Sequence, residues 1–145
     1  MAAQNLFWGA LQPFAAAIAE KYIDGRELYL GILGNDSLRL LPIWELEFGD
    51  LERSGSRIAT EKVKHDPDYQ DRHEILQGPA EDLTSELETR IKRYAKVVYR
   101  ELELDGYARI DFRLGTDGTP YFLEANPNPE IARIEEFATA AEYSG

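Results

Sequence analysis

The sequence predicts an α+β fold in which helices pack on an antiparallel sheet, and three observations lead to this prediction. A β-hairpin is indicated where residues 107–114 and 120–125, both rich in aromatic and aliphatic side chains, flank the turn sequence 116–119. A long amphipathic helix is indicated over residues 84–103. Shorter apolar runs end at turns that contain glycine. The 145 residues would form a single domain with one core.

The amino-terminal residues predict a short helix followed by a strand. Residues 5–14 carry apolar side chains suited to a short helix that Pro13 would end, and residues 15–22 have the pattern of a strand. The chain would then turn at Asp24-Gly25 into a second short strand.

A further strand and two loops are expected before the long helix. A turn at residues 34–36 leads into an apolar segment at 38–48, in which Pro42 favours an edge position or a bend. Glu45 and Glu47 would face outward from this strand. The segments predicted as loops are residues 50–56 and the polar run 65–73.

Two helices are expected to pack through apolar stripes. The long helix would begin at Thr84, a residue type suited to a helix amino terminus, and a shorter helix is predicted over residues 135–143. The stripe of the long helix comprises Leu87, Ile91, Tyr94, Ala95, Val98 and Leu102, and that of the short helix Ile134, Phe137, Ala138 and Ala141.

The predicted hairpin separates polar from apolar side chains. Because side chains alternate along a strand, Arg109 and Asp111 would share one face, and Glu124 and Asn126 would lie together on the partner strand. The carboxylate and amide oxygens are hard donors suited to Mg²⁺, which leaves part of its coordination shell to water and phosphates. This face therefore implies a phosphate-bearing cofactor. The opposite face would carry Ile110, Phe112 and Leu123.

The alternative for this hairpin is an ordinary pair of strands with a solvated outer face. The run Asn126-Pro127-Asn128-Pro129 favours the functional interpretation. Two prolines cannot continue a central strand, so the backbone leaves the sheet where the candidate ligands lie.

The hairpin residues resemble the ATP-grasp carboxylate–amine ligases, most closely the D-alanine:D-alanine ligase branch. The resemblance covers residues 17–145 and implies the fold of the carboxy-terminal ATP-grasp subdomain. It implies that Asp111, Glu124 and Asn126 hold paired Mg²⁺ ions, or Mn²⁺, that bridge the phosphates of ATP. Arg109 would steady the tetrahedral intermediate or the transferred phosphoryl group. The residues that carry the pattern are Gly106, Arg109, Asp111, Gly118, Leu123, Glu124 and Asn126.

A second block, residues 18–35, resembles the nucleoside-binding segment of the same family. The resemblance implies that Glu20, Lys21 and Ile23 lie beside the adenine, with backbone groups and an acid meeting the base. Glu27 would bind the ribose hydroxyls. The alternative is that these charged residues form the solvent face of an edge hairpin.

In a third block, residues 57–64, the resemblance places a lysine near the terminal phosphates. Lys62 is the nearest match and Lys64 is its rival. The alternative is a lysine pair on a solvated surface.

Two departures from the family pattern bear on substrate and activity. Glu130 stands where glycine is usual, and no serine follows, so Arg133 would be the residue to receive a substrate carboxylate. An intact ligase also needs an upstream substrate domain and a lid, neither of which residues 17–145 supply. The expected function is therefore a peptide-bond-forming ligase domain that is inactive alone. The alternatives are a nucleotide-binding module without turnover and an acidic interaction module.

Charge and composition limit the classes of molecule that the protein is expected to bind. The net charge of -11 opposes binding to nucleic acids and anionic membranes, and the absence of cysteine excludes thiol catalysis. No apolar run approaches membrane-spanning length, so a cytoplasmic location is expected. The expected partners are a nucleotide, a small carboxylate or amine substrate, and either a missing upstream domain or a second copy at an open sheet edge.

Overall fold

The computed structural model describes residues 20–54 and 57–145, and these residues form a five-stranded antiparallel sheet with helices on both faces, which confirms the predicted α+β class. The order of strands across the sheet is β3-β2-β1-β4-β5. The strands are β1 (Gly25–Leu33), β2 (Arg39–Glu47), β3 (Leu76–Pro79), β4 (Tyr107–Gly115) and β5 (Pro120–Asn126). The helices are a 3₁₀ helix (Gly49–Ser54), α1 (Glu61–His65), α2 (Pro67–His73), α3 (Ser85–Glu101) and α4 (Glu136–Tyr143).

The predicted β4–β5 hairpin is confirmed, and local turn chemistry explains it. Gly118 adopts a φ of 75°, a conformation that glycine reaches without steric cost. Its N–H donates to the carbonyl of Gly115 at 2.8 Å, and the Asp117 carboxylate accepts from the Thr119 N–H at 2.9 Å. The turn residues thus satisfy one another and set the strands in register.

The irregularity predicted at Pro42 is a bulge between β1 and β2. Leu30 pairs with Ile43 and Ile32 pairs with Leu40, so two residues of β2 lie opposite Gly31. Proline donates no hydrogen bond, and a bulge is a position in a sheet that tolerates this loss.

The prediction that Glu45 faces outward is wrong. Its side chain is buried and accepts hydrogen bonds from the Arg26 guanidinium of the neighbouring strand β1, with Nε to Oε1 at 2.7 Å. Glu47, by contrast, is exposed. Glu45 is covered because the Arg26 guanidinium pairs with it from β1. Strand β3, which the sequence analysis missed, pairs with β2 at both glutamates and makes β2 an interior strand.

Three further predictions for the first half of the chain need correction. Residues 20–24, the described part of the segment predicted to pair with β1 across the Asp24-Gly25 turn, have no regular structure. The predicted loop at 50–56 contains a 3₁₀ helix, and the polar run 65–73 contains α2. Asp66 caps α2 by accepting from the Tyr69 N–H at 3.0 Å. The predictions for residues 5–14 and 15–19 lie outside the described residues.

Helix α3 covers one face of the sheet, as its periodicity predicts. Thr84 caps it by accepting from the Leu87 N–H at 3.2 Å, and Ile91, Ala95 and Tyr99 are its buried residues. Tyr94 and Leu102, predicted to point inward, are exposed. The buried residues recur every four positions, which leaves Tyr94 beside this stripe, and Leu102 follows the last residue of the helix. The sheet residues of this core are Leu28, Leu30, Ile32, Ile43, Ala108, Ile110, Phe112 and Leu114.

Helix α4 and α1 cover the other face. Phe137 and Ala140 of α4 are buried there, whereas Ile134, predicted to join them, is 84% exposed because it precedes the first turn of the helix. Among the helices that the structure describes, none is long and apolar enough to cross a membrane. The remaining members of this core are Tyr29, Leu41, Trp44, Leu46, Phe48, Val63 and Ile75.

Gly31 allows α4 to lie close to the sheet. A Cβ atom at this position would lie 2.6 Å from Leu41 Cδ1 and 3.0 Å from Phe137 Cε2. We expect Gly31→Ala to lower the free energy of unfolding by about 1–3 kcal/mol, the usual cost of overpacking a core. Urea denaturation measures this loss. Gly78→Ala is the matched control, since nothing lies within 4 Å of its added Cβ; equal stability of the two variants would contradict the prediction.

Candidate functional site

A cavity of about 570 Å³ lies over the polar side of β4, between the sheet and the irregular segments 20–23 and 57–59. It brings together residues that are far apart in the sequence. Both carboxylates and cationic side chains line it. The predicted site residues in its lining are Glu20, Lys21, Ile23, Glu27, Asp111 and Glu124.

The hairpin places the predicted metal ligands opposite one another. Asp111 of β4 pairs with Glu124 of β5, and Arg109 pairs with Asn126. Side chains of such cross-strand pairs lie within about 4.5–5.5 Å at their Cβ atoms. The polar face that strand alternation predicts is therefore present, and Asp111 and Glu124 of this face line the cavity, whereas Arg109 and Asn126 do not.

Arg109 is bound tightly within this polar face. Its Nε and Nη2 atoms donate to the two carboxylate oxygens of Asp111, each at 2.8 Å, and its Nη1 donates to Glu136 Oε2 at 3.3 Å. The guanidinium also lies over the ring of Tyr29, 4.7 Å from the centroid. Burial alone would lower the pKa of Arg109, but the hydrogen bonds and charge of Asp111, with Glu136, raise it above its ordinary value.

Negative charge exceeds positive charge around Arg109. Asp111 and Glu136 are buried, and the exposed Glu124 carboxylate lies 3.9 Å from Arg109 Nη2. Burial raises the pKa of Asp111 to about 6, although the hydrogen bonds and charge of Arg109 act in the opposite direction. Three carboxylates share one guanidinium, so the cluster would gain from a nearby cation.

The donor set fits Mg²⁺ as part of a shared coordination shell. Within residues 20–54 and 57–145 no three histidine, cysteine, aspartate or glutamate side chains are arranged to hold a metal by themselves. Asp111 and Glu124 would supply two carboxylates, and water and phosphate oxygens would supply most of the remaining shell. Asn126 lies outside the cavity lining, and its Oδ1 accepts from the Asn128 N–H at 2.9 Å, which leaves one lone pair for a metal.

A second polar cluster of the cavity is built around Glu27, two register positions along the β1–β4 pair from Asp111. Its Oε1 accepts from the Tyr29 hydroxyl at 3.0 Å and its Oε2 accepts from Arg113 Nη1 at 2.8 Å. Burial, followed by the charge of Glu27, raises the pKa of Tyr29, so its hydroxyl stays protonated and donates. Ile23 lies beside this pair in the cavity wall.

Of the two candidate lysines, Lys64 lines the cavity and the exposed Lys62 does not. Thr60 caps α1 by accepting from the Val63 N–H, and the helical turn that follows orients Lys64 toward Asp111 and Lys62 toward solvent. Lys64 also borders a second cavity of about 410 Å³. The other polar residues of that cavity are Gln70, Gln77 and Glu135.

Leu123 lies in the cavity wall rather than on the apolar face predicted for it. The register shifts between Asp111 and Phe112, which pairs with Phe122, so Leu123 is the extra residue of a bulge in β5. The bulge turns its side chain away from the core, and Leu123 is 46% exposed beside Glu124.

Several cavity and cluster residues were not identified from the sequence. Arg113 continues the alternation of Arg109 and Asp111 along β4, and this spacing was a signal that the sequence contained. Glu136 carried no such signal, because only the fold brings α4 to β4. Arg133, predicted to bind a carboxylate, lines neither cavity and donates to Glu142 at 3.1 Å.

The raised pKa of Asp111 has a consequence for stability. Since the folded carboxyl holds its proton more tightly than the unfolded one, with its ordinary pKa of 3.8, stability is lost as the pH rises from about 4 to about 6. Relative to Asp111→Asn, the wild type should lose up to about 3 kcal/mol across this interval. Urea unfolding of both proteins between pH 4 and pH 7 measures the difference in their free energies of unfolding. Taking this difference removes the contributions of carboxylates that titrate alike in the two proteins. A constant difference would refute the prediction.

Comparison with known proteins identifies a family model and two proteins that are similar to this chain. The family model described as D-ala D-ala ligase C-terminus matches residues 4–145. The chain is 32% identical over 129 residues to the uncharacterized protein y4sG of Sinorhizobium fredii, which covers 89% of this chain and 36% of that protein. It is 31% identical over 131 residues to D-alanine–D-alanine ligase of Nitrosospira multiformis, which covers 90% of this chain and 38% of that enzyme.

A solved structure gives the same fold. The D-alanine–D-alanine ligase of Bacillus anthracis complexed with ATP superimposes with a TM-score of 0.69 at 21% identity, over 97% of this chain and 41% of that one. The chain thus spans little more than a third of the length of the curated relatives above.

Proposed function

Because this chain belongs to the D-ala D-ala ligase C-terminus family, we propose that it is the carboxy-terminal ATP-grasp domain of an ATP- and magnesium-dependent ligase of the D-alanine:D-alanine type. The observation that carries the proposal is the 570 Å³ cavity, whose lining joins Glu27 and Ile23 to Asp111 and Glu124. Glu27 and Asp111 lie two register positions apart along the β1–β4 pair. Such an arrangement suits a nucleotide whose base and ribose lie beside Glu27 and whose phosphates lie beside Asp111.

The residues divide into a nucleoside end and a phosphate end. Glu20, Lys21 and Ile23 would contact the adenine, and Glu27 would accept hydrogen bonds from the ribose through its remaining lone pairs. Lys64, rather than Lys62, is the lysine that the cavity lining favours for the phosphates.

Asp111 and Glu124, with Asn126, would hold Mg²⁺, which neutralises charge on the phosphates when bound. Arg109 would bind developing negative charge. Three of its five N–H groups donate to Asp111 and Glu136, and a substrate oxygen would have to replace Glu124, which lies 3.9 Å from Nη2.

The proposed reaction has two steps. A substrate carboxylate oxygen attacks the γ-phosphorus of ATP, so that an acyl phosphate forms and ADP leaves. An amine nitrogen then attacks the acyl carbon, the carbon–nitrogen bond forms through a tetrahedral intermediate, and phosphate leaves as the amine loses its proton. Positioning and charge neutralisation are the main contributions of a protein to phosphoryl transfer.

The chain alone is expected to turn over slowly. It spans little more than a third of its curated relatives, and we propose that an upstream substrate domain and a lid complete the site. The second cavity, which shares Lys64 with the first, is the place where the other substrate would lie. We also predict that two copies of the chain associate through the open edge of β5. A measurement of molecular mass in solution tests this prediction.

A second candidate function is nucleotide binding without turnover. The contact between Arg109 and Glu136 favours it, because a guanidinium already neutralised by two buried carboxylates stabilises an oxyanion less well. Release of ADP in the presence of mixed amino acids separates the two functions. A ligase releases ADP, and a pure binding module does not.

Calorimetric titration of the chain with ATP, with and without Mg²⁺, tests the proposal. We expect binding that requires Mg²⁺, with Mn²⁺ as a substitute, because the carboxylates at the phosphate end repel ATP when no cation is present. ADP should bind under the same conditions. Absence of binding in every condition would overturn the proposal for this chain.

A further inference from the structure

Arg113 is a buried cation that none of the roles proposed above uses. It lies on β4, two residues beyond Asp111, and is only 3% exposed although it lines the cavity. A buried guanidinium must have its N–H groups satisfied, so its partners reveal what it organises.

The guanidinium joins four separate segments of the chain. Its Nη1 donates to Glu27 on β1, and its Nε donates to the carbonyl oxygen of Ile23 at 3.0 Å. Its Nη2 donates to the carbonyl oxygen of Arg57 and lies 3.4 Å from the Tyr22 hydroxyl. The Arg113 Cζ atom also lies 5.5 Å from the centre of the ring of Phe48, which follows β2.

Two of these segments form walls of the cavity without regular structure. Residues 20–24 and 57–60 belong to no helix or strand. Their backbone carbonyls at Ile23 and Arg57 are bound by one side chain from the sheet. Their positions therefore depend strongly on side-chain contacts, and Arg113 contacts both.

Arg113 also sets the orientation of Glu27. One carboxylate oxygen of Glu27 faces Arg113 and the other faces the Tyr29 hydroxyl, so the carboxylate plane is held from both sides. A carboxylate held in this way presents its remaining lone pairs in one direction.

We propose that Arg113 is a positioning residue that builds the nucleoside end of the cavity. It holds the two irregular walls in place and, through Glu27, sets a preference for a ribose over a deoxyribose. The second half of this inference rests on the function proposed above, whereas the first half rests on the contacts alone.

Arg113→Lys separates this role from the stability of the fold. A lysine keeps the positive charge beside Glu27, but its single nitrogen cannot donate in fork geometry to two backbone carbonyls and a carboxylate. Arg93→Lys is the matched control, because Arg93 is exposed on α3 and its guanidinium lies over the ring of Tyr94 on the same helix. Both variants should remain folded by circular dichroism.

Amide hydrogen exchange tests the first half of the proposal, that Arg113 holds the two irregular walls in place. In Arg113→Lys, exchange in residues 21–24 and 57–60 should become at least about tenfold faster, while exchange in α3 stays unchanged. A folded Arg113→Lys protein with wild-type exchange in both segments would overturn the positioning role.

The relative affinity for ATP and 2′-deoxyATP tests the second half, that Arg113 sets a preference for ribose through Glu27. Wild type and Arg93→Lys should bind ATP more tightly than 2′-deoxyATP by about tenfold, the value of one hydrogen bond to a charged group. In Arg113→Lys, ATP binding should weaken by at least about tenfold, the value of the lost hydrogen bond to the ribose, and the preference should fall toward one. A purely structural residue would weaken both nucleotides equally and leave the preference intact, which would overturn the specificity role.

The two failures are distinguishable. If the wild type binds neither nucleotide, the proposed function fails, and hydrogen exchange alone decides whether Arg113 positions the walls. If Glu27→Gln keeps the ribose preference, the role of Glu27 fails, and with it the specificity half of the inference.

Discussion

Glu124→Gln is expected to abolish magnesium-dependent ATP binding, with a loss of at least about 100-fold in affinity. Loss of partners that only orient metal ligands already costs 10–100-fold, and Glu124 is proposed as a ligand itself. The change keeps the size of the side chain and removes one negative charge. Since Glu124 is exposed on β5, its replacement should leave the free energy of unfolding within about 0.5 kcal/mol of the wild type.

Calorimetry with ATP and Mg²⁺ measures the loss, and two further titrations give it meaning. Glu101→Gln, an exposed position in the last turn of α3, is the control for net charge and should bind as the wild type does. Titration without Mg²⁺ should not distinguish Glu124→Gln from the wild type. Wild-type affinity of Glu124→Gln in the presence of Mg²⁺ would remove Glu124 from the proposed metal site.

Arg109→Met is expected to produce the largest loss of stability in the protein, about 3–5 kcal/mol at neutral pH. The variant leaves Asp111 and Glu136, both less than 10% exposed, without the cation that neutralises them. An uncompensated buried charge costs this much free energy, and methionine replaces only the apolar part of the arginine. The loss should shrink as the pH falls below about 6, the pKa of Asp111, because a protonated Asp111 carries no charge for Arg109 to neutralise.

Urea denaturation at pH 4.5 and pH 7 measures the loss and its pH dependence. Arg133→Met is the matched control, because Arg133 pairs with Glu142 at the surface with 86% of its own side chain exposed. Such pairs contribute between 0 and about 1 kcal/mol. If Arg109→Met cost no more than Arg133→Met, the cluster around Arg109 would not be the buried ionic network that its distances indicate.

Sequence patterns predicted the elements whose causes are local. The hairpin follows from the Asp117-Gly118 turn, and α3 follows from its apolar stripe and the Thr84 cap. Two-residue alternation also predicted that Asp111 and Glu124 would share a face, and they pair across the hairpin. In each case the determining contacts lie within one turn, one helix or one pair of adjacent strands.

Other features depended on segments that meet only in the folded chain. Strand β3 pairs with β2 across about thirty residues of sequence. Arg26 of β1 pairs with Glu45, nineteen residues further on, so an acid predicted to face solvent is buried. Leu123 reached the cavity because of a bulge, and the alternation rule cannot foresee a bulge.

The sequence by itself determined the β4–β5 hairpin, its polar face and the family resemblance, because these depend on neighbouring residues. Only the tertiary structure decided that Lys64 lines the cavity, that Glu136 joins Arg109, and that Arg113 holds two irregular walls. Those contacts join residues that are 27 to 90 positions apart in the chain. Their formation depends on how the sheet and helices pack, which no local pattern encodes.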